Sequence, residues 1–115
     1  MTRPLVYVAG PYTHPDPVDN TAHAIAVATR LLDSGHVAPI VPHLTMFWHL
    51  LYPHDYETWL ALDFDHLRRC DALLRIAGDS AGADREVNFA RGFGIAIFYD
   101  VEACIAWAME EAALR

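Results

Sequence analysis

Short apolar runs alternate along the chain with longer stretches whose apolar positions recur at helical spacing. Residues 5–9 are apolar and rich in β-branched side chains, and Gly10-Pro11 cuts them off, which predicts a first strand ending in a tight turn. Residues 18–32 carry apolar side chains such as Ala22, Ile25, Ala28 and Leu32 between polar ones, and Asp33-Ser34-Gly35 supplies a helix stop. A second strand is expected over 37–41, pushed towards a sheet edge by Pro39, which cannot donate to a ladder. Residues 42–53 are apolar without a clean period and fit a short helix or a wall-forming loop. Helices follow over 56–69, 83–91 and 101–113, the last capped by Asp100, with strands over 72–77 and 95–99 between them.

Strands and helices that alternate over short connections give parallel strands with right-handed crossovers. The expected fold is therefore α/β: a three-layer sandwich around a four-stranded parallel sheet of order 2-1-3-4, flavodoxin- or Rossmann-like. In such sheets ligands bind beyond the carboxyl ends of the strands, where the order reverses. That rule brings the Gly10-Pro11-Tyr12-Thr13 loop to face the Asp79-Ser80-Ala81-Gly82 loop, making one pocket of two distant segments.

Composition narrows the ligands. With 115 residues, one domain spanning 1–115 is expected, and a 54% apolar content suits strands buried on both faces plus a homo-oligomer interface. A formal net charge of −7 and scattered arginines exclude a nucleic-acid polymer as partner. No apolar run reaches membrane-spanning length, so no membrane partner is expected. Cys70 and Cys104 lack metal-ligand or disulfide spacing and read as reduced thiols of a cytoplasmic protein. Seven histidines, among them His43, His49, His54 and His66, show no paired zinc spacing, so neither a metal nor a cofactor is expected.

The densest chemistry lies in Asp79-Ser80-Ala81-Gly82-Ala83-Asp84-Arg85-Glu86. A glycine-containing turn opens a helix directly after a buried strand, so N–H groups and a positive dipole end sit beside Ser80 and Gly82. Glu86, one turn further, faces the same crevice, and the helix N-terminus is expected to help keep it ionised. The plainer reading makes Glu86 a first-turn complement to the dipole, Ser80 an N-cap and Gly82 a turn residue.

Tyr7-Val8-Ala9-Gly10-Pro11-Tyr12, Asn20 with Ala24, Leu32 and Gly35, Pro39 and Pro42, Cys70-Asp71-Ala72, and Ser80-Ala81-Gly82 with Glu86, Ala90 and Gly94-Ile95 together resemble the nucleoside 2-deoxyribosyltransferase superfamily. That superfamily includes nucleoside 5′-monophosphate N-glycosidases and short phage and bacterial members. The resemblance implies cleavage of an N-glycosidic bond in a nucleoside or nucleotide, by hydrolysis or base exchange. Glu86 would attack the anomeric carbon, and Ser80 and Gly82 would hold a 5′-phosphate, with Arg85 as a further cation and Asp79 and Asp84 opposing it.

The resemblance places Gly10, Pro11 and Tyr12 near the sugar, the Tyr12 hydroxyl being one that could reach Glu86. An aspartate of the 56–69 helix would serve proton transfer to the leaving base. Asp63 and Asp65 point in different directions at helical spacing, so at most one faces the pocket, and Asp63 is the choice against solvated charges for both. His43, Phe47 and Trp48, with Trp59, form a set able to hold a planar base, although aromatic stripes more often serve a core or an interface. Asn20 reads as a helix cap and Asp71 as structural. The alternative to an enzyme is a nucleotide-binding or sensing module of the same fold.

Overall fold

A computed structural model describes residues 2–114. Four strands, β1 (Leu5–Ala9), β2 (Ala38–Ile40), β3 (Ala72–Arg75) and β4 (Ala96–Phe98), pair in parallel in the order β2-β1-β3-β4. Five helices connect or follow them: α1 (Pro17–Asp33), α2 (Thr45–Leu51) after a 3-10 turn at Pro42–Leu44, α3 (Tyr56–Leu67), α4 (Ala81–Gly92) and α5 (Val101–Ala113). This is the α/β order expected from the alternation of patterns. β2 lies at an edge, where Pro39, paired with Val6, can be accommodated.

The strands are shorter than their apolar runs because parallel pairing stops where the chain turns towards its next helix. Beyond β3, Ile76 still donates its N–H to the Ala9 carbonyl at 2.7 Å, but Gly78 then turns the chain with φ +124°. Helix starts follow local chemistry. Asp16, Asp55, Ser80 and Asp100 each accept a backbone N–H at the head of a helix. Asp16, not Asn20, therefore caps α1. Asn20 instead donates its side-chain amide to the carbonyls of Tyr12 and His14, both at 2.9 Å, and so shapes the first loop.

Strand alternation sorts the core into two layers. Val6, Val8 and Leu74 pack with Ala24, Ala28 and Leu31 of α1 and with Cys104 and Ala108 of α5. Tyr7, Ala9 and Leu73 face the other way, onto Leu67 at the end of α3 and onto Ala83, Val87 and Ala90 of α4. A stack of Phe64 on Phe89, with ring centroids 4.4 Å apart, ties α3 to α4. Asp71, accepting from the Leu5 N–H at 2.8 Å, fixes the entry of β3 beside β1 and is structural, as expected.

Among the described residues no helix is long and apolar enough to cross a membrane.

Candidate active site

The reversal of strand order between β1 and β3 leaves a crevice at their carboxyl ends, and a cavity of about 460 Å³ occupies it. That is within the range of small-molecule sites, roughly 300–1,000 Å³. The β1–α1 loop contributes Gly10, Tyr12, Thr13 and His14, and the β3–α4 loop contributes Asp79 and Ser80. α4 adds Ala81, Gly82, Ala83 and Glu86. One face of α3, at the spacing 56, 59, 60, 63, supplies Tyr56, Trp59, Leu60 and Asp63. Two loops far apart in sequence thus form one cavity, as the topology requires.

Two glycines are needed for close approach. A Cβ on Gly10 would lie 2.9 Å from the Ile76 Cβ, so the missing side chain makes room for the chain just beyond β3. A Cβ on Gly82 would lie 2.9 Å from the Tyr56 Oη, so this glycine lets α3 and the head of α4 meet at the cavity wall. Ser80 spends a lone pair on the Ala83 N–H at 3.1 Å and caps α4. The cap role and a place in the cavity lining coexist.

Glu86 is buried, only 5% exposed, in the wall of the cavity. The Tyr7 hydroxyl donates to its Oε2 from the neighbouring strand. The hydroxyl that reaches Glu86 is therefore that of Tyr7, buried in β1, and not that of Tyr12, whose ring instead stands edge-on to His43 at 6.0 Å. Burial raises the Glu86 pKa to about 8; the charge of Asp63 adds to this, while the Tyr7 hydrogen bond and the Arg75 charge oppose it. The expectation that the helix N-terminus keeps Glu86 ionised is thus corrected for the unliganded chain. Glu86 is the sixth residue of α4, counting from Ala81 as the first, and the dipole effect fades beyond the first turn whereas burial does not.

Asp63 shares this environment. Burial raises its pKa to about 7, opposed by its interaction with the Tyr7 hydroxyl. The reading of Asp63 as a solvated helix charge fails, because position 63 falls on the cavity face of α3. Asp65 fits that reading, exposed and 3.5 Å from Arg68. Tyr7 thus stands between two carboxyls, and burial pushes its own pKa well above the ordinary tyrosine value, with both carboxylates adding to the rise. Its signal in the sequence was a lone hydroxyl among Val6, Val8 and Ala9; a buried tyrosine hydroxyl needs a partner.

Arg75, at the end of β3, donates to the carbonyls of Ile76 and Gly78 and pairs with Asp84 at 3.0 Å. Asp84 is thereby held on the outer side of the β3–α4 loop, outside the cavity lining. Arg85 also stays out of the lining, bound to Glu57 at 2.9 Å and lying over the Tyr56 ring.

His43 is 4% exposed, lines the cavity, and holds the Pro11 carbonyl through Nε2 at 2.9 Å. Burial lowers its pKa, so the ring is neutral and Nε2 donates. Pro11 thus serves through its carbonyl, outside the lining. Phe47 and Trp48 also fall outside it, 65% and 52% exposed on α2. The aromatic wall comes from Tyr56 and Trp59, flanked by His49 and His54. α2 turns His49 inward, which the aperiodic apolar run did not reveal. Among the described residues no group of three or more His, Cys, Asp or Glu side chains is placed to hold a metal ion.

Residues 4–99 match the model of a family described as a domain of unknown function, DUF4406. The chain belongs to this family. DUF4406 covers every strand and the whole cavity lining, leaving outside the match all of α5, which packs on the opposite face. No curated protein sequence matches the chain. Its fold is shared with the 2-deoxyribosyltransferase from Leishmania mexicana, at a TM-score of 0.60 and 21% identity over 82% of this chain. The DUF4406 chain spans 61% of that protein's length, less than two thirds. A 2-deoxyribosyltransferase from the psychrotolerant bacterium Bacillus psychrosaccharolyticus shares the fold at a TM-score of 0.58 and 17% identity, over 81% of this chain and 69% of that one. The architecture expected from the resemblance is the one found.

Proposed function

We propose that this chain cleaves the N-glycosidic bond of a nucleoside or nucleoside 5′-monophosphate, with Glu86 as nucleophile. The observation that carries this reading is Glu86 buried in the cavity wall, gripped by the Tyr7 hydroxyl and coupled to Asp63. Two carboxyls flanking one bond are the requirement of glycoside cleavage, whose transition state develops positive charge on the sugar. With both carboxyl pKa values raised, the pair retains a proton near neutrality. In the reactive arrangement that proton sits on Asp63 and Glu86 is ionised, Tyr7 providing the contact between them.

Glu86 attacks C1′ as the C1′–N bond breaks, and Asp63 delivers its proton to the departing base nitrogen. A water molecule, or a second base, then attacks C1′ of the glycosyl-enzyme, loses its proton to Asp63 and frees Glu86. Ser80, with the first N–H groups of α4 at Ala81 and Gly82, forms the donor end for a 5′-phosphate or 5′-hydroxyl. Gly10, Tyr12 and His43 also line the cavity. The reaction on this reading uses no cofactor.

The same reading makes the protein cytoplasmic and a homo-oligomer. Exposed Leu44, Phe47, Trp48, Leu50 and Leu51 support the latter.

Incubation with a panel of nucleosides and their monophosphates, followed by chromatography, is expected to show free base with the native chain and none with Glu86→Gln. One observation favours a second reading, a nucleotide-binding module without turnover: burial holds Glu86 protonated at neutral pH in the unliganded chain. Binding without base release, unchanged in Glu86→Gln, would establish that alternative.

A further inference from the structure

Where α2 leads into α3, the cavity lining carries two histidines whose protons are fixed in opposite senses. The Trp59 Nε1–H donates to His49 Nδ1 at 2.8 Å, and the His54 backbone N–H reaches the same nitrogen at 3.2 Å. An indole N–H and a backbone N–H can only donate, so His49 Nδ1 is bare and the neutral ring carries its proton on Nε2. His54 is the reverse. Its Nδ1 lies 2.7 Å from the Tyr52 carbonyl, which can only accept, so Nδ1 holds a proton and the one neutral tautomer compatible with this contact leaves Nε2 bare. Both rings stand edge-on to Trp59, with centroids 5.9 Å and 5.1 Å away, and all three side chains line the cavity. Around one aromatic surface the chain thus offers one ring N–H donor and one bare ring nitrogen.

We propose that His49 and His54 form a base-reading subsite that selects a nucleobase edge presenting an acceptor beside a donor, with Trp59 as its apolar floor. The inference deepens the proposed function and rests on it. An adenine or cytosine edge fits: the ring nitrogen accepts from His49 Nε2–H, and the exocyclic amine donates to His54 Nε2. Removing the exocyclic amine from such a base removes the His54 contact alone and leaves the rest of the molecule in place.

Calorimetric binding of two matched pairs tests this: adenosine against purine riboside, and cytidine against its analogue lacking the 4-amino group. The amino-bearing member of a pair that binds is expected to bind about threefold to tenfold tighter to the native chain. That ratio is expected to fall to about one in His54→Phe, which keeps an aromatic ring but no acceptor; a merely structural role would weaken both members equally. Nitrogen-15 spectra of the unliganded chain supply a second readout, with the proton of His49 on Nε2 and that of His54 on Nδ1. Equal binding within each pair, a ratio that survives in His54→Phe, or the same tautomer in both rings overturns the inference. Failure of both pairs to bind overturns it too. Base release from other nucleosides would in that case leave the proposed function standing, and its absence across the whole panel would remove both.

Discussion

One sheet presents two faces made from alternate residues of the same strands, and they bury different things. Towards α1 and α5 the strands offer Val6, Val8 and Leu74, which meet an apolar layer. Towards α3 and α4 they offer Tyr7, and around its hydroxyl the helices place Glu86 and Asp63. The first face is what close packing alone asks for. The second adds a buried carboxyl, Glu86, and a half-buried one, Asp63, whose ionisation costs free energy, and nothing in the packing of a small α/β domain requires them. That face keeps an apolar layer of its own in Leu67, Leu73, Val87 and Ala90, and perturbed carboxyls in a cavity at the switch point mark where chemistry is expected.

Substitutions on the two faces should separate along that line. Glu86→Gln is expected to lower base release by at least ~10⁴-fold, measured by single-turnover chromatography, because no carboxylate remains to attack C1′. The same change is expected to raise stability on the alkaline side. Between its ordinary value of 4.5 and about 8, Glu86 is protonated in the folded chain and ionised in the unfolded one. The folded state therefore binds more protons, and stability, greatest below that window, declines as pH rises through it. Denaturant titrations at several pH values should show this decline flattened in Glu86→Gln, by on the order of a few kcal/mol at the alkaline end.

Asp63→Asn is expected to cost about 10²- to 10⁴-fold in base release, since an amide cannot protonate the leaving nitrogen. Nucleosides whose base departs without protonation should lose far less, and a uniform loss would count against the role of Asp63. On the opposite face, Leu74→Ala is expected to destabilise the fold by about 2–5 kcal/mol while leaving the base release proposed for the folded chain unchanged. A fall in turnover with unchanged stability would break the contrast between the faces. Tyr7→Phe is the smallest of these changes. Its hydrogen bond lowers the Glu86 pKa, so the rising limb of the pH–rate profile is expected to move up by about one unit.

The sheet was legible because parallel strands buried on both faces read as short apolar runs closed by Gly and Pro, and Pro39 marked the edge. Ser80, Gly82 and Glu86 were legible because a turn, a cap and a helix period lie within one segment. Tyr7 and Asp63 were harder for a physical reason. Their placement beside Glu86 arises from what β1 and α3 bring next to α4, and separations of 79 residues to Glu86 from Tyr7 and 23 from Asp63 leave no local pattern. Phe47 and Trp48 drew attention as aromatics beside His43, yet the short helix α2 turns His49 to the cavity, and Phe47 and Trp48 stay outside its lining, Trp48 backing the Trp59 ring at 5.2 Å. Asn20 sat near a helix start, but its amide is committed to the loop carbonyls that precede α1.

Mass spectrometry of the chain quenched in acid during turnover of a nucleoside or its monophosphate addresses the nucleophile itself. A sugar-mass increment on the peptide carrying Glu86, absent in Glu86→Gln, is the predicted result. Base release that continues at the native rate in Glu86→Gln, with no adduct on that peptide, would contradict it.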